Sequence, residues 1–429
     1  MAYVLSGGRA SARRPRRQRP PRHGRPLPRR PPLPTTPGHP EPLRRDPVTA
    51  SALELQPAPR SVPGSEPSRR PVRIWLYTLA LLVVGMVALG GATRLTGSGL
   101  SITEWRPVTG MVPPLSAADW AAEFDKYRDT PQYRILNQGL GLADFKVLYW
   151  WEWAHRQLGR FVGLAFFLPF AWFWWRGDLS RRLLLGLLGL GLLGALQGTV
   201  GWIMVASGLQ PGMTAVAPLK LAIHLTLASL ILAGLVWLAA GIRPAAVSPL
   251  ASARLRRTAL ALPVLVLLQI FLGGLVAGSR AGLVYNTWPS MDGMLVPPAD
   301  VLFAVRPMIE NFIDNHALVQ LNHRLVAYLL LAVALLHALD ARLTLGAGGA
   351  ARRAAGIAGL ALAQAGLGIA TLLLAVPLHA ALTHQVFAMA VLVMAVVHAR
   401  LAYGVRAPLR GRPEAAVPFG YEGLAAHHA

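Results

Sequence analysis

Glu152-Trp153-Ala154-His155-Arg156 places a carboxylate, an imidazole and a guanidinium within one short stretch. The stretch opens a run to Trp175 that is almost wholly apolar and long enough to cross a bilayer as a helix. Three residues separate Glu152 from His155, so on a helix the two share a face. Charged groups at the mouth of a membrane helix are costly and mark a functional site by default; the alternative is that Glu152 and Arg156 only anchor the helix end. Repetition weighs against that alternative, because Asn322-His323-Arg324 heads a second apolar run in the other half of the chain. His224 and His384 open two more such runs. With no cysteine in the chain, disulfides, thiolate ligation and iron–sulfur clusters are excluded, and imidazole is the strongest soft ligand left for a metal.

The elements that must position these groups are membrane spans. The chain is 54% hydrophobic and 14% charged, with a mean hydropathy of +0.43, the profile of a polytopic membrane protein. Eight apolar segments are predicted at about 73–93, 153–175, 182–204, 219–240, 258–279, 319–341, 354–376 and 381–403, each near the ~20 residues that span a bilayer. Arginines at 69, 70, 73, 176, 181, 182, 243, 254, 256, 257, 342, 352, 353, 400, 406, 410 and 412 all fall on one side of such a path. That side is therefore the cytoplasm, and both termini lie there.

The remaining connections face outward. In the first, Ser116 to Asp119 makes a helix-start pattern and Trp120, Phe124 and Tyr127 follow at helical spacing. The pattern predicts a short amphipathic helix, either roofing a site at the outer surface or packing on neighbouring spans.

A net charge of +23 resembles a nucleic-acid signature, but its distribution argues against nucleic acid as a partner. Residues 1–70 hold 15 arginines against four acidic residues, and most of the rest lie beside apolar spans. This Pro/Arg-rich stretch has too few apolar residues for a core and reads as a disordered cytoplasmic arm, with a cytoplasmic tail over 406–429.

The chain also duplicates itself. Gly90-Gly91-Ala92-Thr93-Arg94-Leu95-Thr96-Gly97 echoes Gly273-Gly274-Leu275-Val276-Ala277-Gly278-Ser279-Arg280, and Gly110-Met111-Val112-Pro113-Pro114 echoes Gly293-Met294-Leu295-Val296-Pro297-Pro298. His155-Arg156 aligns with His323-Arg324, Gln197 with Gln364, and His224 with His384. The fold class expected is thus an all-α polytopic membrane protein of two tandem, parallel four-helix bundles, over 71–242 and 254–405.

Two histidines at equal depth on different helices of one bundle can share a centre. A bis-imidazole haem suits them, because neutral nitrogen ligands fit iron and the bundle supplies apolar walls. Gly90-Gly91 and Gly273-Gly274 would let a helix approach a flat macrocycle, or serve ordinary small-residue packing. Arg156, Arg160 and Arg324 would pair with haem carboxylates, or snorkel to the interface. His337 and His398 each lie fourteen residues after an outer histidine, as stacked haems would require, but Pro169 and Leu238 occupy the equivalent positions of the first half. They are therefore read as packing residues. His316 and His379 have no repeat partner and are candidates for a supporting role.

Taken together, the Gly90–Trp105 segment, Glu123-Phe124-Asp125-Lys126-Tyr127, Glu152-Trp153-Ala154-His155-Arg156, Asn286-Thr287-Trp288-Pro289, Gln320-Leu321-Asn322-His323-Arg324 and Leu382-Thr383-His384-Gln385 resemble the haem A synthase family over about 73–403. The likeness is to its proteobacterial and mitochondrial branch; some members carry an outer-loop cysteine pair that this chain lacks. The resemblance implies a bacterial inner-membrane enzyme that oxidises a ring methyl of haem O to a formyl group through a hydroxymethyl intermediate. It implies that His323 and His384 ligate the iron of a permanent haem b, a relay for electrons. His155 and His224 would ligate substrate haem O, with Arg156 and Arg324 as cofactor-binding cations. Glu152, whose repeat counterpart is Gln320, would be the catalytic residue, handling a proton or stabilising a cation. Expected partners are haem O, membrane lipid, a haem O synthase and an electron-transfer protein, with oligomerisation open. A non-enzymatic dihaem cytochrome drawing electrons from quinol is the alternative.

Overall fold

The structure, a computed structural model, describes residues 69–242 and 246–405. The arm expected over 1–70 lies outside these residues apart from Arg69 and Arg70, and the tail over 406–429 lies outside them altogether.

Among the described residues eight helices are long and apolar enough to cross a membrane: α1 Arg70–Leu95, α2 Leu142–Trp175, α3 Arg181–Gly208, α4 Pro218–Gly241, α5 Ala253–Ser279, α6 His316–Leu345, α7 Gly349–Leu373 and α8 Leu378–Ala402. The protein is an all-helical, multi-pass membrane protein. Among the described residues the β contacts are two isolated bridges, Val247 with Val405 and Met291 with Met294. Local chemistry sets the helix starts. Pro71 and Pro218 sit in the first turns of α1 and α4, where a missing N–H costs nothing. The Ser252 hydroxyl accepts from Leu255 N at the start of α5, and Asn315 accepts from Ala317 N and Leu318 N at the start of α6.

Seven spans begin within a few residues of their predicted starts, and α2 does not. It begins eleven residues before the predicted Trp153, because hydropathy reads Asp144, Lys146 and Glu152 as loop. Its 34 residues reach about 51 Å at 1.5 Å per residue, well beyond a ~30 Å hydrocarbon core. The protruding end is wrapped by the predicted amphipathic helix, Ala117–Arg128. Ser116 and Asp119 form its capping box, and the bonds from Ser116 hold the Asp119 carboxyl below the usual range. Trp120 and Tyr127 are buried with Phe145 and Tyr149 of α2, so of the two expectations for this helix, packing describes its aromatic face.

Helix neighbours follow the repeat. In the first half α1 packs on α2 and α4, and α3 on α2 and α4; in the second, α5 packs on α6 and α8, and α7 on α6 and α8. The halves meet through α4 with α5, α8 with α1, and α4 with α8. A continuous apolar core, including Leu76, Leu187, Leu232, Leu262, Ile357 and Leu392, runs through both. At α4–α5 the backbones nearly touch: a Cβ on Gly274 would meet Ala222 Cα at 2.7 Å, and one on Gly278 would meet Pro218 Cα at 2.6 Å.

Candidate functional site

His155 on α2, His224 on α4, His323 on α6 and His384 on α8 all line one cavity of about 1920 Å³. Sites for a single small ligand usually occupy ~300–1,000 Å³, so this one has room for two. Each imidazole lies against a glycine of a neighbouring helix. A Cβ added to Gly90 would come within 2.8 Å of His155 Cε1, one on Gly201 within 2.9 Å of His224 Cε1, one on Gly273 within 3.2 Å of His323 Cε1, and one on Gly368 within 2.8 Å of His384 Cε1. Any larger residue would push the ring, so these glycines fix where each imidazole sits.

Gly90 and Gly273 drew notice in the sequence, while Gly201 and Gly368 did not. A signal was present: Gln197 and Gln364 each precede such a glycine by four residues, the same spacing in both copies. These glutamines also reach the histidines. Gln197 Nε2 lies 3.2 Å from His224 Nε2, and Gln364 Nε2 donates to the His384 carbonyl at 2.9 Å. Gln269, on α5, places its Nε2 3.0 Å from His323 Nδ1.

Glu152 is buried and held by three groups. Its Oε2 accepts from Ser101 Oγ and Ile102 N, both at 2.8 Å, and its Oε1 from Arg156 Nη2 at 2.6 Å. Arg156 continues to the carbonyls of Ile102 and Glu104. In the second half Gln320 Oε1 accepts from Arg324 Nη2 at 2.7 Å, while its Nε2 donates to Ala281 O at 2.8 Å. Arg324 donates to the carbonyls of Tyr285 and Thr287, the positions that the repeat equates with Ile102 and Glu104. Both arginines therefore staple a loop segment to a span, although each also lines the cavity.

The remaining candidates stand elsewhere. Nε2 of His337 and Nε2 of His398 are 2.8 Å apart, and His337 Nδ1 is 2.7 Å from Thr258 Oγ1. That contact leaves no room for a macrocycle between them. His316 and His379 are exposed and away from the cavity wall.

Comparison with known proteins identifies the family. The COX15-CtaA family model, described as cytochrome oxidase assembly protein, matches residues 73–396. The chain belongs to the haem A synthase family. It is 74% identical over 363 residues to a protein of Methylorubrum populi named heme A synthase, covering 84% of this chain and 94% of that one. Proteins of the same name from Azorhizobium caulinodans, 56% identical over 79% of this chain and 95% of the relative, and Rhodopseudomonas palustris, 52% identical over 78% and 92%, are also similar. Membership makes the chain an oxidoreductase, and the resemblance read from the motifs over about 73–403 is borne out.

The described residues fit a haem on two counts. Nδ1 of His155, His224 and His384 and Oε1 of Gln197, Gln269 and Gln364 are buried without hydrogen-bond partners, concentrating unspent polar capacity around the four imidazoles. The glycine seats leave each ring beside a wall with no side chain, in a cavity otherwise lined mostly by apolar residues.

Proposed function

We propose that the chain is a haem A synthase that holds two haems, haem O as substrate beside His155 and His224, and a resident haem b beside His323 and His384. The observation that carries this reading is the fourfold seat: four histidines at repeat-related positions, each against a helical glycine, all facing one cavity. Haem b, when bound, supplies a one-electron relay. The substrate's ring methyl would take an oxygen from water and give up two electrons and two protons to become hydroxymethyl, then two more of each to become formyl, the electrons leaving to a redox protein.

The chain's own contribution is orientation and charge. His155 and His224 fix the plane of the substrate, with Gly90 and Gly201 setting the depth of each ring. Glu152 supplies a carboxylate at the cavity wall whose oxygens are held in place by Ser101, Ile102 and Arg156. A preorganised negative charge of this kind stabilises positive charge that develops on a neighbouring carbon, which favours cation stabilisation over proton transfer as its role. The two halves, 71–242 and 254–405, serve as the substrate and relay bundles, with the ends of α1 and α5 that carry the long loops on the outer side of a bacterial inner membrane and both termini in the cytoplasm. A haem O synthase would deliver the substrate and a redox protein would exchange the electrons.

The test is a haem extraction. The protein is expressed in a host that makes haem O but no haem A, and the pigments are separated and identified by mass. Haem A or its hydroxymethyl precursor is expected. Haem b and unaltered haem O alone, from folded protein supplied with a redox partner, would overturn the enzyme and leave a dihaem cytochrome.

A further inference from the structure

Two arginines of the cavity wall have no work of the kind that occupies Arg156 and Arg324. Arg94 lies in the last turn of α1, one turn beyond Gly90, the seat of His155. Arg280 caps the end of α5, beyond Gly273, the seat of His323. Both line the cavity, and the charge of Arg280 reaches Arg94. Among the described residues neither guanidinium has a hydrogen bond or an ion pair with an acidic group. Two like charges on the wall of one partly enclosed cavity repel, and in such surroundings the repulsion is weakly screened. An anion between or beside them removes the penalty and gains charge-assisted hydrogen bonds.

The backbone adds an independent sign. Arg280 adopts φ +58°, and its equivalent in the first half is Gly97, with φ +69°. Both copies end the helix through a left-handed residue, but only the first uses the residue that does so without steric cost. The second places a β-carbon and a long cation there, at a cost in backbone energy that glycine avoids. Such a residue persists where its side chain has a use. Arg280 is exposed and lines the cavity.

We propose that Arg94 and Arg280, one from each half, form the carboxylate-binding rim of the cavity and receive the propionates of the macrocycles held beneath them. The chemistry required is that of a planar ligand carrying carboxylates at one edge, with the metal-binding imidazoles deeper and the guanidiniums at the rim. Arg156 and Arg324 are spent on loop carbonyls and on Glu152 and Gln320, which leaves the unpaired pair as the better donors. This inference rests on the haem reading above and names the residues that set the orientation of the ligand's edge.

The experiment compares ferric haem b with its dimethyl ester, which keeps the ring and the iron but has no carboxylate. Full-length protein is purified from haem-depleted cells, and both ligands are titrated into the parent, Arg94→Gln and Arg280→Gly by Soret absorbance, with melting followed alongside. The parent should bind the free acid about tenfold to a hundredfold more tightly than the ester, the range of one or two charge-assisted bonds. Each variant should lose most of that preference by weakening the acid alone, with ester affinity within about threefold of the parent. Without ligand, Arg280→Gly should melt no lower than the parent, because glycine relieves the left-handed backbone; this guards against loss through misfolding. Equal affinity of acid and ester across all three proteins would overturn the carboxylate rim and leave the haem reading standing. A parallel loss of both ligands would overturn it as well, since the arginines would then support the fold. Binding of neither ligand by the parent would overturn the haem reading and the rim together.

Discussion

The two halves share one plan and differ at a few residues. Both seat two histidines on glycines, and both run an arginine from a span to equivalent loop carbonyls. Against that background Glu152 faces Gln320, Met86 faces Gln269, Leu225 faces Gln385 and Gly97 faces Arg280. At these four positions the first half has a carboxylate and otherwise apolar or small residues, and the second has amides and a cation. An amide preserves the bond to Arg324 but carries no charge. Under the proposed function, the carboxylate marks the first half as the reacting site and the amide in its place marks the second as the holding site.

The sharpest way to break that assignment is Glu152→Gln, which makes the first half resemble the second. Formyl production should fall by about a hundredfold or more, the scale of removing a preorganised charge, while haem content stays near the parent value. Unchanged haem A yield would remove Glu152 from the reaction. The reverse change, Gln320→Glu, should leave the reaction in place but turn a bond donated to Ala281 O into a repulsion, costing about 1–3 kcal/mol of stability; a melting curve checks it, and loss of activity at full stability would contradict the assignment.

Gly90→Ala and Gly273→Ala compare the seats. The closer contact at Gly90, 2.8 Å against 3.2 Å, predicts the larger displacement, about 1–3 kcal/mol from overpacking, with the shift in the haem absorption spectrum greater for Gly90→Ala. Equal spectral shifts would mean that the rings, and not the glycines, absorb the difference. Gln385→Leu installs the residue of the other half and removes the 2.7 Å bond to Val87 O; about 1 kcal/mol should be lost, read as a fall in melting temperature with no change in haem content. Ser116→Ala removes the cap of the Ala117–Arg128 helix, which the second half lacks, and should cost about 1 kcal/mol locally, seen as faster hydrogen exchange in residues 117–120 and nowhere else.

Much of this was legible in the sequence. Hydropathy finds the spans because no other uncharged run of that length suits water, and the duplication finds the four histidines because each keeps its place at the head of a repeated apolar run, His155-Arg156 matching His323-Arg324 and His224 matching His384. The start of α2 was hidden, since its protruding turns are stabilised by aromatic packing on Trp120 and Tyr127, a tertiary effect without a hydropathy signal. Gly201 and Gly368 were hidden because a glycine inside an apolar helix usually signals helix packing; only the facing ring shows what each makes room for. Arg94 and Arg280 carry no signal in the sequence beyond their place in the repeated glycine segments, and only the hydrogen bonds of Arg156 and Arg324 set them apart.

The packing of α4 on α5, of α8 on α1, and of α4 on α8 is the contact set of a closed dimer seen down its twofold axis. In a homodimer each contact occurs twice, so a polar residue introduced at one joint appears at the other. Here a covalent linker takes the place of the second subunit's independence. Gln385 can bridge to Val87 on one side while the other side closes through Gly274 and Ala222, and a donor can be tuned apart from an acceptor. Tethering two copies thus frees the molecule from its own symmetry, and two sites with one geometry can hold different potentials.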